Sequence, residues 1–121
     1  MTAPSATLTI HFETGVEKKI FMSFGLLNQL SAIGGDIQSL PLLQQEASLR
    51  DAVFALTLSV RDAEGKITKS YHPDATEFQL SLEQGEALLA WVVAHLQDFF
   101  IKRLKCQLEL QTKTNAELQK A

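Results

Sequence analysis

Apolar residues first alternate along this chain and then recur every three or four positions. Leu8, Ile10 and Phe12 are separated by Thr9 and His11, and Ile20 and Met22 resume the same period after a turn at Glu13-Thr14-Gly15. Residues 7 to 22 therefore predict a β-hairpin with one apolar face. Two strands alone are marginal in water, so that face requires helices against it. After Ser23, the residues Phe24, Leu27, Leu30 and Ile33 fall at helical spacing, with Ser23 placed to cap the first turn and Gly34-Gly35 to end the last. From Asp36 to Gln45 no period dominates. Leu40-Pro41 reads as a turn or the start of a helix, and Leu42-Leu43 as its anchor to the core.

Ser48 and Asp51 form a capping-box-like pair ahead of Leu49, Val53, Leu56 and Val60, which predicts a helix over about residues 48 to 60. Asp62-Ala63-Glu64-Gly65-Lys66 has turn composition, and residues 67 to 74 read as a loop with room for a short strand. Ser81 then caps the longest helix, near Gln84, with Glu83 and Glu86 in the first turn where the helix dipole favours negative charge. Its stripe runs through Leu88 or Leu89, Val92, Leu96, Phe99 or Phe100, Arg103 or Leu104, and Leu108, from residue 82 to beyond 105. The expected architecture is α+β and helix-dominated: an N-terminal β-hairpin packed on two or three short helices and one long C-terminal helix. Residues 1–106 are expected to form a single compact domain, and residues 107–121, which keep Leu108, Leu110 and Leu118, a polar helical extension or frayed tail.

The segment "LLAWVVAHLQDFFIKRLK" changes this picture. Leu88, Leu89, Trp91, Val92, Val93, Leu96, Phe99, Phe100 and Ile101 spread over more of the helix circumference than a stripe of ~100° holds. Either short helices enclose the long one from two sides, or another protein covers the remainder. Aromatic anchors set among polar residues are the usual makeup of binding hot spots.

Composition removes several function classes. Eleven Lys and Arg against fourteen Asp and Glu give a net charge of −3, which supplies no general attraction for phosphate. Lys102, Arg103 and Lys105 cluster, but without Gly-rich loops or interleaved exposed aromatics they read as a solvated helix face, and no nucleic-acid partner is expected. Lys, Asp, Glu, Gln or His interrupts every apolar run before the ~18 residues of a membrane span, so no membrane partner is expected either. The lone Cys106 has no intramolecular partner, and MTAPSATLTI lacks the sections of a signal peptide, which together predict a cytoplasmic protein.

Catalytic chemistry finds no foothold. His11, His72 and His95 fall in a strand, a loop and a helix without metal-ligand spacing. His95 and Asp98 stand one turn apart, placed to share a hydrogen bond, yet no Ser or Cys nucleophile lies near in sequence. Tyr71-His72-Pro73-Asp74 contains the His-Pro-Asp loop of J-domain co-chaperones, which stimulate the ATPase of an Hsp70 partner. That family requires an unbroken basic helix just before the loop, whereas Asp62 to Gly65 makes a turn there, and Pro73-Asp74 has a sufficient cause as turn chemistry. No enzymatic activity, metal or cofactor is expected.

Three segments together resemble the tail assembly chaperones of long-tailed bacteriophages: the hairpin running into "FGLLNQLSAIGGD", the helix and turn of "SLRDAVFALTLSVRDAEGKIT", and "LEQGEALLAWVVAHLQDFFIKRL". The similarity spans roughly residues 7 to 105. The resemblance implies a non-enzymatic protein of the infected host cytoplasm that binds the tape measure protein, helps recruit tail tube protein during tail morphogenesis, self-associates as a homo-oligomer and is absent from the mature virion. It also implies Trp91, Phe99 and Phe100 as surface or oligomer anchors, with Leu88, His95, Lys102 and Arg103 at the rim. If the core takes those aromatics instead, Phe21, Phe24 and Leu27 are left as the exposed ones. The alternatives are a structural or adaptor protein retained in a phage particle, and a J-domain-like co-chaperone acting through His72-Pro73-Asp74.

Overall fold

In the computed structural model, which describes residues 4–120 and the side chains of residues 4–110, the hairpin forms as the alternation requires. Strand β1 (Thr7–His11) pairs antiparallel with β2 (Glu17–Phe21), with Ile10 opposite Lys18 and Leu8 opposite Ile20. Ile10, Phe12, Ile20 and Met22 are buried on one face, while Thr9, His11, Lys19 and Phe21 are exposed on the other. The turn is permitted by Gly15, whose φ of 90° an L side chain rarely adopts.

Helix α1 (Phe24–Gly34) begins where Ser23 accepts a hydrogen bond from the Leu26 amide. It ends at Gly35, whose φ is 76°. Gly34 has a separate role: a Cβ there would stand 3.3 Å from side-chain carbons of both Leu40 and Leu96, so the missing side chain admits the close approach of three elements. A tight three-residue turn (Ile37–Ser39), capped by Asp36, and the one-turn helix α2 (Leu42–Gln45) then drop Leu40 and Leu43 into the core.

Helix α3 (Ala47–Leu58) starts earlier than the sequence predicts, and its cap is corrected. Glu46, whose carbonyl accepts from the Arg50 amide, is the boundary residue, and Ser48 lies inside the first turn with no capping bond. The helix also ends earlier, at Leu58, because Val60 and Arg61 leave it as strand β3 (Val60–Arg61), paired across the Asp62–Lys66 turn with β4 (Ile67–Lys69). A second tight turn (Thr76–Phe78) leads to α4 (Leu82–Lys120), where Ser81 accepts from the Gln84 amide as expected. At ~1.5 Å per residue this helix is on the order of 58 Å long.

The core joins Ile10 of the hairpin, Leu30 of α1, Leu43, Val53 and Leu58 of α2 and α3, and Leu88, Val92 and Leu96 of α4, all fully buried. Each such aliphatic contributes about 1.5–3 kcal/mol through removal from water. A ring cluster closes one side: Phe54 meets Tyr71, Tyr71 meets Phe78, and Phe78 meets Phe12, all edge to face. The fold is α+β and helix-dominated, with an N-terminal hairpin and one long C-terminal helix. Among the described residues, helix α4 buries its apolar face as far as Leu96, is half-covered from Asp98 to Ile101, and is exposed from Lys102 to Leu110, so that it leaves the body of the domain there. The side chain of Leu118 lies outside the described residues.

Candidate binding face at the α1–α4 crossing

Two of the expected contact residues, Leu88 and Trp91, lie in the core. Leu88 is completely buried among core residues and cannot stand at the rim of a binding surface. Trp91 keeps only 8% of its surface, and its indole N–H donates to the Ser5 carbonyl at 2.8 Å. The imidazole Nε2 of His95 meets the same carbonyl at 2.7 Å, and the two rings stack edge to face 5.0 Å apart. His95 therefore pins the N-terminal segment to α4, and it does not form the hydrogen bond that its spacing to Asp98 would allow. Asp98 instead pairs with Lys102 one turn on, at 3.0 Å. Tying residue 5 to residues 91 and 95 is a contact across nearly the whole chain, and no local pattern announces it.

The apolar surplus of α4 emerges one turn later. Phe99 is half-buried, and its ring meets that of Phe24 edge to face, with centroids 6.4 Å apart. Phe24 is the first residue of α1 and remains 71% exposed. Phe100 lies 5.9 Å from Phe99 and turns toward the end of α1, where one of its ring carbons would be 3.8 Å from a Cβ on Gly34. Both ends of α1 thus reach the same stretch of α4, so α1 crosses α4 rather than running beside it. The guanidinium of Arg103 lies 5.4 Å from the Phe99 centroid, within the range of a cation–π contact.

Beside this crossing lies a concavity of 390 Å³ between the C-terminal end of α1 and the outgoing part of α4. One wall is small, with Ser31, Ala32 and Gly35, and the other carries Phe100, Arg103 and Leu104. Ile37 and Leu104 are exposed nearby. A wall of small residues facing apolar ones admits the close approach of a helix.

Of the seven residues expected to bind a partner, Phe99, Phe100 and Arg103 gather here, and Lys102 is exposed on the same turn but engaged with Asp98. Phe24, which the sequence offered only if the core claimed the other aromatics, is the most open ring at the crossing. Ile37 and the small wall were missed, because the contact between residues 31–37 and 100–107 depends on the crossing angle. Leu27 is half-buried.

The His-Pro-Asp segment follows strand β4 and not a basic helix, and the Asp74 amide donates to His72 Nδ1 at 3.2 Å within an exposed turn. Tyr71 beside it points inward, and burial, followed by the charges of Asp51 and Asp74, pushes its phenol above the ordinary tyrosine range. Among the described residues no three His, Cys, Asp or Glu side chains gather as a metal site, and no helix is long and apolar enough to cross a membrane. Comparison of the chain with protein-family models, with curated proteins and with solved structures finds no match.

Proposed function

We propose that this protein is a non-catalytic tail assembly chaperone of a long-tailed bacteriophage, which holds the tape measure protein in the host cytoplasm, helps recruit tail tube subunits, and departs before the virion is complete. The observation that carries this reading is the open Phe24–Phe99 pair, rimmed by Arg103, at the root of a helix that leaves the domain. An apolar, extended helical client needs its surface covered until the tube polymerises around it. A helix laid across α1 and α4 would meet two aromatic rings, a small-residue wall and a cation, a combination suited to reversible binding without ATP or metal. Exposed Leu104, Leu108 and Leu110 on the outgoing helix support self-association, which raises effective concentration when many copies coat one long client.

The test is co-expression with a tape measure protein of a long-tailed phage, followed by mass spectrometry of purified virions. The chaperone reading expects copurification with tape measure fragments and no trace of this chain in the particle. Stoichiometric presence in virions would assign it instead as a retained structural or adaptor protein.

A further inference from the structure

A larger concavity, 770 Å³ in volume, runs along β2. All five residues of β2 line it, and Thr57 to Arg61 form the opposite wall, whereas no residue of β1 does. It therefore opens on the side of β2 that β1 leaves unpaired. The phase of the ladder shows which main-chain groups face it. The Phe12 amide donates to the Val16 carbonyl and the Met22 amide to the Ala6 carbonyl, so the intervening Lys18 and Ile20 are the residues that exchange bonds with β1. Glu17, Lys19 and Phe21 aim their main-chain groups the other way. Among the described residues, nothing else pairs with the Lys19 amide and carbonyl or with the Phe21 amide.

The groove also has a chemical preference. Its floor is apolar, with Phe12, Ile20, Leu26, Leu56, Leu58 and Phe78. Its charged lining holds Lys18, Lys19, Arg61 and Lys69 against Glu17 and Glu77, and both carboxylates are already engaged, Glu17 with His11 and Glu77 with Lys69. On a chain of net charge −3 this is a local cationic surface. The Lys18 ammonium donates to the Leu58 and Ser59 carbonyls at 3.0 and 2.8 Å, which uses two of its three N–H groups and leaves it without a carboxylate partner among the described residues. Burial first, and then the charge of Arg61, lower its pKa below the ordinary lysine range. An incoming carboxylate would oppose both by stabilising the charged ammonium.

We propose that this groove takes an extended segment of another polypeptide as a third strand beside β2, with an acidic side chain reaching Lys18 and Arg61 and apolar side chains settling on the partly exposed Leu26 and Leu56. Strand addition supplies affinity through the open amides, and the alternating side chains supply selection. Lys19 on the edge discourages indiscriminate pairing, so the occupant is chosen by its charge. This site is separate from the α1–α4 crossing and stands without the tape measure reading.

The probe is a short fluorescein-labelled peptide alternating valine with aspartate, titrated into the full chain by anisotropy, with the same peptide carrying lysine in place of aspartate as control. The acidic peptide is expected to bind and the basic one not, and bound peptide should slow hydrogen exchange at the Lys19 and Phe21 amides. Lys19→Pro removes an outward donor but no ladder bond, and Lys18→Met removes the buried charge. Each should weaken binding about tenfold, while Lys105→Ala, an exposed cation outside the groove, keeps the wild-type affinity. If Lys19→Pro does not fold, Lys18→Met and the exchange pattern still decide. Absence of binding, equal binding of both peptides, unchanged exchange at β2 in the bound state, or Lys18→Met binding as wild type would each overturn the proposal.

Discussion

Ser23 and Ser48 look alike as helix caps and act differently. Ser23 accepts the Leu26 amide, whereas Ser48 sits within α3 after the chain has already turned at Glu46. Ser23→Ala should therefore cost about 1 kcal/mol and Ser48→Ala no more than a few tenths, as read by denaturant melts. Equal losses would contradict the assigned boundary. Trp91 belongs to the core, and Trp91→Ala should cost about 3–5 kcal/mol, which makes it a folding variant and not a probe of binding. Asp36 gives a pH signature. Hydrogen bonds from Ser39, side chain first and then amide, hold its carboxyl below the usual aspartate range. The stabilisation is thus present above the ordinary aspartate pKa and is lost as pH falls through the lowered folded value. Wild type should melt above Asp36→Ala at neutral pH and converge with it in acid. A gap that persists unchanged in strong acid would remove that bond from the picture.

Among the elements, those with several turns or a full alternation were legible before the fold was known. The hairpin, α1 and α4 announce themselves because a single face repeats often enough to fix the period, and Ser23, Ser81 and Gly35 mark ends through local hydrogen bonds and a positive φ. Strands β3 and β4, of two and three residues, are too short to show a period, and Val60 continued the helical spacing of α3 in sequence while leaving it in space. Phe99 and Phe100 stay partly exposed at the crossing, and Leu88, Trp91 and His95 were not separable from them by pattern alone. Their covering partners come from Ser5 and the hairpin, far away in sequence. Because, among the described residues, α4 buries nothing fully beyond Leu96, a chain ending at residue 106 should keep its melting temperature within a few degrees, roughly the shift that ~1 kcal/mol produces. The same chain should lose self-association in sedimentation. A large drop in melting temperature would show that the distal helix folds back on the domain.

At the scale of the molecule, a packed body carries a long outgoing helix, an aromatic crossing at its root and a cationic strand edge on β2. Such an arrangement offers surfaces for protein contact, which is the physical content of the chaperone proposal. Its central claim is that Phe24 and Phe99 contact a helical client. Both rings can be truncated without opening the fully buried core, since Phe24 is mostly exposed and Phe99 half-buried. The most direct measurement is calorimetric titration of a helical tape measure fragment into wild type, Phe24→Ser and Phe99→Ala, each first shown to melt cooperatively. The expected result is a Kd weakened about thirtyfold in each variant, corresponding to a hot-spot loss of ~2 kcal/mol. Folded variants that bind the fragment with the wild-type Kd would contradict it.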